Sequence, residues 1–179
     1  LTTCQTGTMF YGIYSTANDF KQKDAMKLSG MIKKPAVKLE LESQDKDAAL
    51  RELVDLLCDA YRIRNREKVL DAIMLREARQ STGIGMGLAV PHAKTAEVDK
   101  LYLCVGLSPE GIDFDSVDGE KCRIFFLLVS PIDVSGPHIK ALAGISRLIK
   151  HQEFRKALLE CGSVKELINT LKEGEKKFL

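Results

Sequence analysis

Three histidines are the side chains of this chain best suited to chemistry near neutral pH, because a neutral imidazole nitrogen is a nucleophile. His92 follows Pro91 at the end of a short apolar segment, where ligands often bind in α/β sheets. His138 follows Pro137, which fits the first turn of a helix, so its ring would lie near unpaired backbone N–H groups. By residue type alone, each could equally be structural, His138 as a solvent-facing loop residue. His151 lies in a polar run and is predicted to be a solvated surface residue.

A glycine-rich string precedes His92 and could cradle a phosphate group through its backbone N–H groups. Its candidate binding residues are Thr82, Gly83, Gly85 and Gly87. The string does not open a helix, which argues against a dinucleotide site, and it lacks the Gly-Lys-Ser/Thr ending of a P-loop. The chain also has no GxSxG nucleophile motif. His92 and His138 have no evident third partner at the spacing of a catalytic zinc site, so we expect neither a metal nor a cofactor.

Composition is that of an ordinary globular domain. The 179 residues are 45% hydrophobic and 29% charged, and 27 Lys and Arg against 25 Asp and Glu give a net charge of +2. This near-balance argues against a dedicated nucleic-acid binder. The longest apolar run, 122–132, is too short to span a membrane, and we expect no membrane insertion.

The five cysteines are scattered and form no CxxC pair. Cys58, Cys104 and Cys122 lie within apolar segments, where a thiol behaves as a small hydrophobic side chain. With no evident signal peptide at the start of the sequence, this pattern predicts a cytoplasmic location.

Periodicity predicts strands that alternate with helices. Strands are expected at 37–41, 88–90, 101–107 and 122–130, and helices at 45–61, from 65, at 137–150, 153–160 and from 163. The segment 122–130 is apolar almost throughout, as in strands covered on both faces. We therefore predict an α/β fold in which helices sandwich a mixed, largely parallel sheet. Residues 1–25 lack this periodicity and are predicted to be an appendage to a domain at 26–179.

The segment from Arg76 to Ala93 combines these separate signals. It reads Arg76-Glu77, a short spacer, and then STGIGMGLAVPHA, and it is followed by apolar residues at 125–131 and by Pro137-His138. This pattern closely resembles the signature of the fructose/mannitol-type (type 2) enzyme IIA family of the bacterial phosphoenolpyruvate-dependent sugar phosphotransferase system (PTS). That family includes nitrogen-regulatory relatives. The resemblance covers about residues 27–173, with mild departures at Met86, Val90 and Ala93.

The resemblance implies a phosphocarrier. His92 would accept a phosphoryl group, on Nε2, from phospho-HPr and pass it to an enzyme IIB, while Arg76 and His138 would stabilise the phosphoryl charge. Donor and acceptor are both proteins, so the transfer needs no metal. Segments 85–88 and 132–139 are the candidate docking surfaces.

The family resemblance leaves more than one function open. A transport IIA would serve a fructose- or mannitol-type IIB in sugar uptake, whereas a nitrogen-type IIA would control partner proteins through its phosphorylation state. A third interpretation, a binding domain that has lost transfer, is disfavoured because His92, Arg76 and His138 are all present.

Overall fold

Helices form the two outer layers of the fold. The computed structural model describes residues 27–179, so the predicted boundary at Met26 lies outside the described residues. Within this range the α-helices are α1 (Lys46–Tyr61), α2 (Arg66–Arg79), α3 (Gly136–Ile149), α4 (Gln152–Leu159) and α5 (Val164–Phe178), with short 3-10 turns at Leu28–Gly30 and Lys34–Ala36. The helices lie where the apolar periodicity predicts them. None of the helices in this range is both long and apolar enough to cross a membrane.

Polar side chains cap the first turns of two helices, α1 and α5. Asp45 accepts a hydrogen bond from the N–H of Ala48 at 2.9 Å and caps α1. Ser163 accepts from the N–H of Glu166 at 3.2 Å and caps α5, which begins where the sequence predicts. The Glu166 carboxylate returns to the N–H of Gly162, one residue before the cap. Asn65 precedes α2 as predicted, but its side chain donates to Glu97 and does not cap the helix.

A mixed, largely parallel sheet lies between the helices, as predicted. Its strands are β1 (Val37–Lys38), β2 (Gly83–Gly85), β3 (Leu88–Ala89), β4 (His92–Lys94), β5 (Tyr102–Ile112) and β6 (Cys122–Ser130), in the order β1-β5-β6-β3-β2, with β4 also paired to β6. The pairs β1/β5, β3/β6 and β4/β6 are parallel. The pairs β2/β3 and β5/β6 are antiparallel, and the β5/β6 ladder is the longest.

Two strands differ in length from the prediction. β1 ends at Lys38, although the Leu41 N–H still donates to the Leu107 carbonyl at 2.8 Å. β5 runs on to Ile112, beyond the predicted end at residue 107. The pairing with β6 shifts register between Leu107 and Ile112, and Gly111 has a φ of 74°. Such an irregularity accommodates Pro109, which has no N–H to contribute to the ladder.

β6 divides the interior into two cores. Phe125, Leu127 and Val129 pack with the inward residues of α1 and α2. Phe126 and Leu128 face the other way and pack with residues of α3, α4 and α5. Because side chains alternate along a strand, an apolar run is buried on both faces only when helices cover both. The prediction that segment 122–130 is covered on both sides is confirmed.

The glycine string forms a tight hairpin, β2–β3, held against the loop that follows β5. The N–H of Gly85 donates to Ser116 Oγ at 3.0 Å, and the N–H of Met86 donates to Asp118 Oδ2 at 2.7 Å. Gly85 has a φ of 91°, a conformation that favours glycine. A Cβ on Gly83 would lie 2.9 Å from the Ser116 Cα. The hairpin therefore needs glycine both for its turn and for close approach of two backbones.

Substitution of Gly83 by Ala should destabilise the protein. The added methyl group would meet backbone, which cannot rotate away, so we expect a loss of about 1–3 kcal/mol in the free energy of unfolding. Urea denaturation measures this change. Gly30→Ala is the matched control, because nothing lies within 4 Å of its Cβ position. Equal stability of the two variants would contradict the close packing of the hairpin.

Candidate functional site

His92 opens β4 and has one ring nitrogen held by the backbone. Its Nδ1 lies 2.8 Å from the carbonyl oxygen of Val90. A carbonyl oxygen can only accept, so Nδ1 carries the proton, and in the neutral ring Nε2 keeps its lone pair. β4 pairs with β6 through His92 and Leu128, which fixes the backbone beneath the ring. The nucleophilic nitrogen is therefore Nε2.

Arg76, in the last turn of α2, specifies the same tautomer from the other side of the ring. Its Nε donates to His92 Nε2 at 3.3 Å, and its Nη1 donates to the Gln80 carbonyl at 2.9 Å. Since a guanidinium has no acceptor, Nε2 must be unprotonated to receive this bond. The structure thus brings Arg76 and His92 together, as the sequence predicts.

His138 is the third residue of α3 and also faces the site. The His92 and His138 ring centroids are 5.6 Å apart and the rings meet at 64°. His138 is 6% exposed, and its Nδ1 lies 2.7 Å from Ser130 Oγ at the end of β6. The alternative of a solvent-facing loop histidine is therefore excluded.

Burial keeps both imidazoles neutral near pH 7. Burial lowers the pKa of His92, and the Arg76 cation lowers it further, against an opposing effect of the Val90 hydrogen bond. Burial also lowers the pKa of His138 to about 4, and the nearby His92 and Lys94 act in the same direction. Neutral rings can attack an electrophile or donate a hydrogen bond without first losing a proton.

The histidines open into a cavity of about 320 Å³ with a cationic wall. Its lining includes Arg76, Arg79 and Lys94, together with Leu75, and no carboxylate is among the lining residues. Lys94 Nζ is held by Ser135 Oγ at 2.6 Å and by the Ile132 carbonyl at 3.4 Å. Such a wall favours an anion with several oxygens, as a phosphoryl group has.

Lys94 and Arg79 are site residues that the sequence analysis missed. Lys94 lies two residues after His92 on one strand, so both point to the same face. Arg79 lies three residues after Arg76, one turn along α2. Spacing could have identified both, once His92 and Arg76 had been placed on a strand and a helix.

The four candidate binding residues of the glycine string do not line this cavity. Gly83, Gly85 and Gly87 belong to the hairpin, and the N–H groups of Gly83 and Gly85 are bound by Ser81 and Ser116. Thr82 is buried, and its carbonyl oxygen accepts from the Val90 N–H at 2.9 Å. The structure thus places these four residues outside the cavity lining, where the Thr82 carbonyl holds the backbone at Val90, two residues before His92.

His151 is not the solvated residue that the sequence predicts. Its ring is half-buried and stacks on Phe178 of α5, with centroids 3.8 Å apart and planes 10° from parallel. The polar residues adjacent to His151 suggested exposure, and local sequence could not reveal the contact because Phe178 is distant in sequence. His151 is absent from the cavity lining.

Within residues 27–179, no three His, Cys, Asp or Glu side chains are grouped so as to hold a metal ion.

The four cysteines in this range are all free thiols. Burial raises the pKa of the Cys58 and Cys122 thiols to about 11. They are therefore protonated at neutral pH, as expected of thiols that serve as core side chains.

Comparison with known proteins finds relatives of two kinds. The chain is 35% identical over 151 residues to the PTS system fructose-specific EIIABC component of Bacillus subtilis; the match covers 84% of this chain but 24% of that protein. It is 31% identical over 133 residues to a nitrogen regulatory protein of Bradyrhizobium diazoefficiens, covering 74% of this chain and 86% of the relative.

A solved structure shows the same fold. Nitrogen regulatory protein IIA-Ntr from Neisseria meningitidis superposes with a TM-score of 0.75 at 24% identity, covering 80% of this chain and 97% of the other. Residues 30–174 match the family model described as phosphoenolpyruvate-dependent sugar phosphotransferase system, EIIA 2. Most of the described residues lie inside that match, and His92 lines a cavity with cationic side chains. The chain belongs to the type 2 enzyme IIA family of the PTS.

Proposed function

We propose that this chain is a phosphocarrier whose His92 accepts a phosphoryl group from phospho-HPr and passes it to a fructose/mannitol-type enzyme IIB in sugar uptake. The observation that carries the proposal is the Nδ1–H bond to the Val90 carbonyl, which leaves the Nε2 lone pair directed at Arg76. The bond from Nε2 to phosphorus forms as the bond from phosphorus to the donor breaks. The Nδ1 proton stays on the ring throughout.

The cations and His138 supply the charge stabilisation that phosphoryl transfer needs. Arg76 and Lys94 are held by carbonyl and hydroxyl oxygens, so their charges remain available to phosphoryl oxygens. Ser130 Oγ lies 2.7 Å from His138 Nδ1, and when the hydroxyl donates in this bond, neutral His138 carries its proton on Nε2 and can donate a hydrogen bond from it.

The transfer takes place between proteins, and the rim of the cavity suits docking. Leu75 on α2, Ile132 after β6 and Ile139 on α3 are each 63% exposed. Exposed apolar side chains around a charged centre are typical of a protein–protein interface. The predicted docking segment 132–139 provides two of these three residues.

A cytoplasmic location, where the protein would meet HPr, suits the buried free thiols.

A regulatory function is the second candidate. The nitrogen regulatory relative matches over 86% of its own length, and the IIA-Ntr structure over 97% of its chain. The transport interpretation is favoured by the fructose-specific EIIABC relative, whose name includes a IIB part. Incubation of the phosphorylated protein with a purified fructose-type IIB discriminates between them. Rapid loss of the phosphoryl group to IIB supports transport, and retention supports regulation.

His92→Ala should abolish phosphoryl acceptance, because it removes the Nε2 lone pair that the Val90 hydrogen bond leaves free for attack. Intact mass after incubation with enzyme I, HPr and phosphoenolpyruvate should show one acid-labile phosphoryl group on the wild type and none on the variant. His151→Ala, outside the cavity, should label like the wild type. Labelling of His92→Ala at the wild-type level would remove His92 from this role. A wild type that takes up no phosphoryl group, beside an active control IIA, would indicate a binding domain.

His138→Ala should slow phosphoryl acceptance by about 10²-fold, the usual cost of losing one donor to a transition-state oxygen. Single-turnover transfer from phospho-HPr measures the rate, and thermal unfolding measures stability. A large loss of stability with a normal rate per folded molecule would instead make His138 structural.

His138 should also make the protein less stable in acid. An unfolded histidine has a pKa near 6.5, while that of folded His138 is about 4. Between these values the unfolded state binds more protons, so this contribution to stability is full above about pH 6.5 and is lost as the pH falls toward 4. Urea midpoints across this range should fall less steeply for His138→Gln than for the wild type. Parallel curves would contradict the lowered pKa.

A further inference from the structure

Glu77 is a buried carboxylate that the proposed transfer chemistry does not use. It follows Arg76 on α2 and is 6% exposed. Its two oxygens accept from the Thr82 N–H at 2.9 Å and from Thr82 Oγ1 at 2.5 Å. Lys46 Nζ lies 2.9 Å from Oε1 and 3.0 Å from Asp115. Glu77 thus ties the last turn of α2 to the residue that precedes the glycine hairpin.

A continuous path of hydrogen bonds runs from this carboxylate to the His92 ring. Glu77 binds the N–H and hydroxyl of Thr82, and the Thr82 carbonyl accepts from the Val90 N–H at 2.9 Å. The Val90 carbonyl in turn accepts from His92 Nδ1 at 2.8 Å. Two successive links therefore separate Glu77 from the bond that sets the tautomer of His92.

The same carboxylate also supports the other side of the ring. Arg76, its chain neighbour, reaches His92 Nε2 with its own Nε at 3.3 Å. The Glu77 clamp on Thr82 joins the last turn of α2 to the hairpin and so fixes the position of the guanidinium relative to the ring. Both hydrogen bonds on His92, one at each ring nitrogen, are thus connected to one side chain.

We infer that Glu77 is a positioning residue. It holds His92 in the tautomer with Nδ1 protonated and Nε2 unprotonated, and it keeps the Arg76 guanidinium within hydrogen-bond distance of Nε2. Its effect on transfer rate rests on the proposed phosphocarrier function, whereas its effect on the tautomer does not. A carboxylate is needed because it accepts two bonds from Thr82 and also balances the charge of Lys46. A glutamine amide offers only one acceptor oxygen and no charge.

The chain supplies a matched control for a merely structural role. Glu175 on α5 is 8% exposed and accepts from the N–H of Ser29 at 3.0 Å and from Ser29 Oγ at 2.5 Å. This is the same two-bond clamp on the N–H and hydroxyl of one residue. Ser29 has no hydrogen-bonded connection to His92 among the bonds of the described residues. Glu175→Gln therefore reproduces the loss of the clamp away from the site.

The experiment compares Glu77→Gln with Glu175→Gln in the full chain, by two measurements. Nitrogen-15 NMR of the ring nitrogens reports the His92 tautomer, with His92→Gln used to assign the signals. Single-turnover transfer from phospho-HPr reports the rate. For Glu77→Gln we expect signals of a mixed tautomer and a rate about 10- to 100-fold lower, as for a misplaced reacting group. For Glu175→Gln we expect the wild-type tautomer and rate, whatever its loss of stability.

A second pair of variants serves if Glu77→Gln does not fold. Thr82→Val removes the hydroxyl but keeps the N–H, and it should shift the tautomer and slow transfer. Thr82→Ser keeps both groups and should restore wild-type behaviour.

The inference is overturned if Glu77→Gln shows the wild-type tautomer and the wild-type rate. If Glu77→Gln does not fold, the same result in Thr82→Val overturns it. If the wild type itself accepts no phosphoryl group, the proposed function fails, and the tautomer alone still decides the role of Glu77.

Discussion

The hydrogen bond from His92 Nδ1 to the Val90 carbonyl is the interaction on which the rest of the site depends. For this bond, the Val90 carbonyl must turn away from β6, so the pairing of the chain with β6 is interrupted between β3 and β4. Pro91 reduces the free-energy cost of that interruption. Proline has no N–H to leave unpaired, and its own carbonyl still accepts from the Leu128 N–H at 2.9 Å. The Pro-His pair therefore fixes the ring so that Nδ1 is protonated and Nε2 is not.

The charge of the cavity follows from how its cations are held. Carbonyl and hydroxyl oxygens satisfy the donors of Arg76 and Lys94 without neutralising their charge. Lys46, by contrast, is paired with the carboxylates of Glu77 and Asp115. The cations of the cavity therefore keep a charge that an arriving anion can meet. Positive charge beside the two imidazoles also disfavours a second proton on either ring, so the rings stay neutral.

Much of this arrangement was predictable from the sequence, for identifiable reasons. Apolar periodicity is local, so it located the helices and β6, which is buried on both faces. The Arg76-to-His92 motif and Pro137-His138 identified the three side chains that the fold brings together. Lys94 and Arg79 were missed because single cations carry no signal until a strand or helix gives them a direction. The stacking of His151 on Phe178 joins residues distant in sequence, which no local pattern reveals.

The glycine string shows how a correct motif can suggest an incorrect role for some of its residues. Repeated glycines indicate close approach of a backbone, and a phosphate is one partner that needs it. Here the approaching partner is the protein's own loop, since a Cβ on Gly83 would touch the Ser116 Cα and Gly85 binds Ser116 Oγ. The hairpin so formed carries Thr82 and Val90 at its two ends, and these ends are joined by a hydrogen bond. The glycines thus contribute to His92 through the rigidity of the backbone that orients its ring.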